Sequence, residues 1–320
     1  MRVLALVPGG IGDQLLMFPT LDSLKQIYPQ GLIDVVVEPR SQGAYRISQS
    51  VNKVWNFDFK GINSLADWGN LIGTIRDQEY DAVFSLGQRW SVGFLLWLTG
   101  IPNRISYAGQ GDIFLTRAIP LNRDQYAAKM YHDLLQGLDL NPEFSGIKVS
   151  IPKKDLDWAE AEQIRLNIKE SGYILIHGGS SALAKQKGID KIYPATSWAK
   201  VIESLQTRLV NLPVVLIAGP EDGDLVKELQ EQVSKPLLVT SPPDIGKLAG
   251  IIGAANLLLC TDSGPMHIGV GVGTNLVALF GPTDPEKLLP QEKRIIAIKS
   301  PAGQPISAIA PEDIIARLFP

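Results

Sequence analysis

Short apolar runs alternate with segments of helical spacing along nearly the whole chain. Residues 3–7 form an uninterrupted apolar run that predicts a buried strand. Residues 14–27 carry Leu15, Leu16, Leu21, Leu24 and Ile27 near the spacing of one helix face. Pro19 falls inside that segment and is expected in a bend or an early turn, because proline has no N–H to give to an interior helix bond. LIDVVVE (32–38), DAVFSL (81–86) and RISY (104–107) predict further strands, with an apolar helix over residues 91–98. The second half repeats the logic. YILIHGG (173–179) is a strand entering a glycine turn, and Trp198, Val201, Ile202 and Leu205 mark a helix. PVVLIAGPED (213–222), LLLCTDSG (257–264) and LVALFGPTD (276–284) are strands that end in polar, glycine-containing turns. RIIAIK (294–299) is the last strand and PEDIIARLF (311–319) a closing helix.

Continuous apolar strands separated by helices predict an α/β protein with parallel sheets covered on both faces. LNPEFSGIKVSIPKKD (140–155) breaks the rhythm with two prolines, a Ser-Gly pair and polar residues, and reads as a linker. It divides the chain into α/β domains over 1–150 and 151–320. DLDWAEAEQIRLNIKES (155–171) follows as a capped helix. In open α/β sheets ligands bind beyond the carboxyl ends of the strands, so two such domains facing each other are expected to enclose a cleft.

Composition narrows the classes. The 320 residues are 45 % hydrophobic and 20 % charged, as in ordinary globular chains. A net charge of −3 supplies no bulk attraction for nucleic acid or an anionic membrane. One cysteine, Cys260, excludes an intramolecular disulfide and fits a reducing compartment. The start of the chain has no long apolar leader. VGFLLWLTGI (92–101) is far shorter than the roughly 20 residues of a membrane span. A cytoplasmic protein is expected; peripheral contact with the inner membrane face stays open, because contact needs no span.

Four segments carry candidate chemistry. PGGIGDQLL (8–16) follows the first strand. Read as a dinucleotide loop, Gly10 and Gly12 supply two glycines of G-x-G-x-x-G, and Glu38 stands where a ribose-binding acid would. Leu15 takes the third glycine's place, and Asp13 would repel a pyrophosphate by about 4 kcal/mol per charge pair at ~4 Å and an effective dielectric near 20. An NAD-dependent oxidoreductase is the rival that this loop would serve. The other readings of Asp13 are a helix cap and a catalytic carboxylate, and the two are compatible. TDSGPMH (261–267) turns from a strand into a helix with Pro265 near its start. Backbone N–H groups there suit a phosphate, Ser263 adds a hydroxyl, and Asp262, Gly264 and His267 complete a site in which a ligand would lie close to backbone. HGGSSALAKQKGIDKIYP (177–194) is a basic loop suited to a diphosphate, with Lys185 and Lys187 read as solvated and Lys191 just before the closing IYP. In AGPED (218–222), Glu221 could accept two hydrogen bonds from a ribose diol or could complement a helix start. Asp-x-Asp occurs at Asp155/Asp157 and Asp222/Asp224, both at expected helix starts, and neither is read as a metal site. No Walker A pattern and no Cys/His zinc cluster occur.

These segments, in this order, resemble glycosyltransferase family 9, the lipopolysaccharide heptosyltransferase-like enzymes. Gly12-Asp13 ahead of an apolar helix, DAVFSLGQRWSVGFLLWLTGIPNRISY, HGGSS followed by KIYP and a tryptophan, and above all TDSGPMHIGVGVGTNLVALFGPTDP are similar to that family's motifs. The resemblance implies a GT-B fold of two Rossmann-like domains, the first on the acceptor side and the second on the donor side. It implies inverting transfer of a heptose-like sugar from an ADP-linked donor to a lipopolysaccharide or other envelope glycan, without a required metal or cofactor. By position, Asp13 would be the catalytic base. Lys191 would contact the donor phosphates, Glu221 the nucleoside, and Asp262, Ser263, Gly264 and His267 the rest of the donor. The chain departs from the pattern in having VPGG where the family often places an arginine. It also carries thirteen Lys and Arg against fourteen Asp and Glu in residues 1–150, which does not favour a strongly anionic acceptor. A non-catalytic sugar-nucleotide-binding relative is the remaining alternative.

Overall fold

A computed structural model of the chain describes residues 1–179 and 191–319. Two compact units divide between Ser150 and Ile151. In the first, β1 (Arg2–Val7), α1 (Ile11–Ile27), β2 (Leu32–Val37), β3 (Lys53–Asn56), α2 (Leu65–Arg76), β4 (Ala82–Ser85), α3 (Trp90–Leu98), β5 (Asn103–Tyr107), β6 (Arg117–Ile119) and α4 (Ala127–His132) follow in order. The strands make a six-stranded parallel sheet in the order β3-β2-β1-β4-β5-β6. In the second unit, α5 (Lys153–Arg165) leads to β7 (Ile174–His177), α6 (Ala195–Arg208), β8 (Val214–Ile217) and α7 (Gly223–Gln232). Then come β9 (Leu238–Thr240), α8 (Ile245–Gly253), β10 (Leu257–Thr261), α9 (Gly264–Val272), β11 (Leu276–Phe280), α10 (Pro285–Leu288), β12 (Ile295–Lys299) and α11 (Pro311–Leu318). Among the described residues these strands form a second parallel sheet, ordered β12-β11-β10-β7-β8-β9.

The inner strands are apolar over most of their length and almost fully buried, as expected of strands covered on both faces. In the first unit Leu4, Leu6, Val36 and Val83 pack with Leu71, Ile75 and Leu96 of α2 and α3. In the second, Ile174, Ile176, Val214 and Leu216 pack under Trp198, Val201, Ile202 and Leu205 of α6. Burying a side chain of this size contributes roughly 1.5–3 kcal/mol.

Three sequence expectations change. Pro19 sits in the middle of α1, not in a bend or early turn. The missing N–H bond is outweighed by burial on both sides of it, since Leu15, Leu16, Phe18, Leu21 and Leu24 are at most 3 % exposed. The helix expected over 155–171 runs over Lys153–Arg165, ending ahead of Asn167, which turns into the left-handed region at φ 55°. β3, β6, β9, α2, α4, α7 and α8 emerge only in the structure. β3 and β9 are the outermost strands of their sheets, where fewer side chains are buried. Among the described residues, no helix is long and apolar enough to cross a membrane.

Candidate active site

Each sheet reverses its winding direction once, between β1 and β4 in the first unit and between β7 and β10 in the second. Crevices open at such switch points beyond the carboxyl ends of the strands. Asp13 lies beside the first crevice, and the TDSG turn beside the second.

In the first unit β1 ends at Val7 and the chain turns through Gly9 and Gly10 into α1. Asp13 is the third residue of α1, and its Oδ2 accepts the Gly10 N–H at 2.7 Å. The capping reading therefore holds, and an acid in the first turn also complements the helix dipole. Asp13 is only half-buried and accepts a second hydrogen bond, from the Tyr131 hydroxyl on α4. Burial first, and then the Asp13 charge, push the Tyr131 phenol well above its usual range, so it stays a donor. A Cβ on Gly9 would lie 2.2 Å from Asp13 Oδ2, so only glycine leaves room for the folded-back carboxylate. The turn beneath is fixed by buried side chains. Gln14 Nε2 donates to Val7 O at 2.9 Å, Tyr45 Oη to Gln14 Oε1 at 2.8 Å and Ser41 Oγ to Gly9 O at 2.6 Å. A carboxylate on such a scaffold loses little freedom when it meets a ligand.

In the second unit four strand ends converge. β10 delivers Asp262, whose side chain is 5 % exposed. Its Oδ2 receives Lys191 Nζ at 2.6 Å and Thr283 Oγ1, from the turn after β11, also at 2.6 Å. Ser263 is the N-cap of α9 yet makes no side-chain cap bond, which leaves its hydroxyl at 3.2 Å from His177 Nδ1, at the end of β7. His177 Nε2 lies 3.3 Å from Asp222 Oδ2, in the turn after β8. That carboxylate also accepts the Gly219 N–H at 2.8 Å. Burial by itself would raise the Asp222 carboxyl; the His177 hydrogen bond, the His177 charge and the Gly219 N–H outweigh it, and the pKa falls below the ordinary value. Asp222, His177 and Ser263 thus form one continuous polar line across β8, β7 and β10. Gly179 stands against it, for a Cβ there would lie 1.7 Å from Asp222 Oδ1. Thr261 Oγ1 ties β10 to Gly179 O at 2.9 Å.

The sequence-based candidates separate as follows. Lys191, Asp262, Ser263 and Gly264 come together at the start of α9, and His267 is buried within it. Glu221 is exposed in the turn after β8, while its neighbour Asp222 takes the inward position. Lys185 and Lys187 lie outside the described residues. Sequence reasoning missed Tyr131, His177, Asp222 and Thr283. HGG before a loop and FGPT after a strand were visible signals for two of them. Among the described residues, no three His, Cys, Asp or Glu side chains are grouped to hold a metal ion. Of the Asp-x-Asp pairs, Asp155 is buried 3.5 Å from Lys247, Asp157 pairs with Lys153, and Asp222 faces His177.

The arrangement offers a half-buried carboxylate in the first unit. In the second it offers a lysine, two hydroxyls and an uncapped helix start. Comparison with known proteins points the same way. Residues 68–309 match glycosyltransferase family 9 (heptosyltransferase). The chain is 28 % identical over 294 residues to lipopolysaccharide heptosyltransferase 3 of Escherichia coli, covering 85 % of this chain and 81 % of that one. It is similar to the solved glycosyl transferase family 9 protein of Veillonella parvula, with a TM-score of 0.85 and 23 % identity over 98 % of this chain and 95 % of that one. An Escherichia coli heptosyltransferase solved with ADP-2-deoxy-2-fluoro heptose superposes with a TM-score of 0.75 at 18 % identity, covering 99 % of each chain.

Proposed function

Because the chain belongs to glycosyltransferase family 9 and is a heptosyltransferase-like glycosyltransferase of GT-B fold, we propose that it transfers a heptose-like sugar with inversion from an ADP-linked donor. The acceptor is a lipopolysaccharide-type or other lipid-linked envelope glycan, at the cytoplasmic face of the membrane. The second unit binds the donor and the first is the acceptor side. The observation that carries this reading is the start of α9, where an uncapped helix N-terminus and the Ser263 hydroxyl adjoin Asp262, which Lys191 and the Thr283 hydroxyl contact.

Backbone N–H groups at a helix start attract phosphate, and a lysine released from Asp262 meets the charge that grows on a departing nucleoside diphosphate. Glu221 holds the ribose, while Gly264 and His267 shape the floor under the diphosphate. Asp13 takes the proton of the acceptor hydroxyl as the new bond forms, and a single displacement then inverts the anomeric carbon. Since lysine and helix N–H groups neutralise the leaving group, the reading requires no metal. The relatives support the donor class: one is solved with an ADP-heptose analogue, and another acts as a lipopolysaccharide heptosyltransferase.

A thermal-shift screen of ADP-, UDP- and GDP-sugars tests the donor assignment without an acceptor. A ligand at 100 times its Kd stabilises by about 2.7 kcal/mol. ADP-sugars should raise the melting temperature most, and a response confined to UDP- or GDP-sugars would overturn the ADP assignment.

A further inference from the structure

Helix α3, WSVGFLLWL, holds no charged residue, a composition ordinarily found buried in a core or a bilayer. Here only Gly93 and Leu96 are buried. Trp90, Phe94 and Trp97 recur at helical spacing along one open face, and the two tryptophans are 57 % and 52 % exposed. The loop from Gly109 to Leu115 extends this face. It docks so closely that a Cβ on Gly93 would lie 2.5 Å from Gly111 O. Phe114 then sits 5.5 Å from the Phe94 ring and 6.3 Å from the Trp97 ring, with Ile113 next to it, 86 % exposed. The result is a ridge of aromatic and aliphatic side chains open to water, not a scatter of single exposed residues.

Its surroundings are basic in a chain that is acidic overall. Residues 87–124 contain Arg89, Arg104, Arg117 and Arg123 against Asp112 and Asp124, four positive charges to two negative, whereas the chain's net charge is −3. Arg89 stands at the N-cap position of α3 without a side-chain cap bond, Arg123 donates to Gln88 Oε1 at 2.9 Å and Arg104 to Phe114 O at 2.8 Å. Among the described residues, Arg117 alone of these meets a carboxylate, 3.6 Å from the exposed Asp139.

From this ridge and its arginines we infer that α3 and the Gly109–Leu115 loop form a docking surface for an anionic lipid bilayer. The tryptophans and Ile113 enter the headgroup layer, and Arg89 and Arg123 meet lipid phosphates. Tryptophan prefers that depth because its ring is apolar and its N–H is polar. Apolar insertion and basic charge are the two signals that together make a peripheral contact stable. A symmetric contact with a second copy would instead bring the same arginines against each other. The inference deepens the proposed reading, because a lipid-anchored acceptor would be met at this surface.

Co-sedimentation with phosphatidylcholine vesicles, with and without phosphatidylglycerol, tests it. Wild-type protein should bind the anionic vesicles, and salt should weaken the binding. Trp90→Ser with Trp97→Ser should lower the partition coefficient at least about tenfold, and Arg89→Glu at least about fivefold on anionic vesicles only. Ile113→Ser alters a residue too exposed to affect folding and should also weaken binding. Leu65→Ser, at an equally exposed site on α2, should not. Absence of vesicle binding, or equal binding by wild type and the tryptophan variant, would overturn the inference. So would a concentration-dependent dimer that this variant abolishes without vesicle binding. No donor enters this assay, so a nucleotide-sugar thermal shift on the same preparation reports separately whether the enzymatic reading stands.

Discussion

Lys191 and Asp262 lie 2.6 Å apart, with side chains 18 % and 5 % exposed, so the pair is nearly removed from water. Lys191→Met keeps the side-chain length and removes the charge. Among the described residues, Asp262 then retains only the Thr283 hydroxyl as a side-chain partner. Breaking a buried pair from one side costs about 3–5 kcal/mol, and with that hydroxyl kept and the lysine partly exposed, about 2–3 kcal/mol is expected. In a unit of this size that lowers the melting temperature by roughly 5–10 °C. Asp262→Asn should cost less, because a lysine freed at this site can turn to water. The double variant removes both charges and should recover about 2 kcal/mol relative to the sum of the single changes. Affinity for ADP follows a different rule. If Lys191 leaves Asp262 for the donor diphosphate, Lys191→Met and the double variant should both lose a charge-assisted contact, about tenfold or more. Thermal unfolding of the three variants with titration calorimetry of ADP separates the two roles. A coupling below about 0.5 kcal/mol would refute the ion pair, and unchanged ADP affinity in Lys191→Met would remove the lysine from the donor site.

Asp13→Asn should keep donor affinity while transfer falls about 100-fold or more, and its stability should change by only about 1 kcal/mol, since an amide oxygen still accepts the Gly10 N–H. Gly9→Ala should reproduce that loss by displacing the carboxylate, at a larger cost in stability; near wild-type transfer by Asp13→Asn sinks the base assignment. The lowered pKa of Asp222 contributes stability that is complete above the ordinary carboxylate range and is lost as pH falls through the lowered value. Asp222→Asn should therefore flatten the acid limb of the stability profile, measured from about pH 5 downward, and an unchanged limb would deny the His177 contact. Cys260 is fully buried, with its thiol pushed far up by burial and then by the Asp262 charge. A thiol reagent should label it only at the rate of unfolding, and rapid labelling of the folded protein would contradict its placement.

The strands β1, β2, β4, β7, β8, β10 and β11 were legible because each is a short, largely apolar run of the kind a parallel strand buried on both faces needs, and β12, at a sheet edge, by its apolar run alone. The turns after them were legible for a related reason: glycine, proline and small polar residues cluster where a strand hands over to a helix. So the fold class, the break near Ser150 and the segments around Asp13 and Asp262 follow from local composition alone. The partners of those residues do not. Tyr131 reaches Asp13 from 118 positions away, and Lys191 and Asp262 are 71 apart. His177, Asp222 and Ser263 come from three different strand ends, and nothing in HGG or GPED states that one glycine vacates the space another segment's carboxylate fills. Strand order brought them together, and strand order is a property of the folded sheet. The chain alone set which residues could be buried and where it could turn. Only the tertiary structure decided which acid turned inward, Asp222 in place of Glu221, because burial and hydrogen-bond partners are supplied by neighbours that local sequence cannot name.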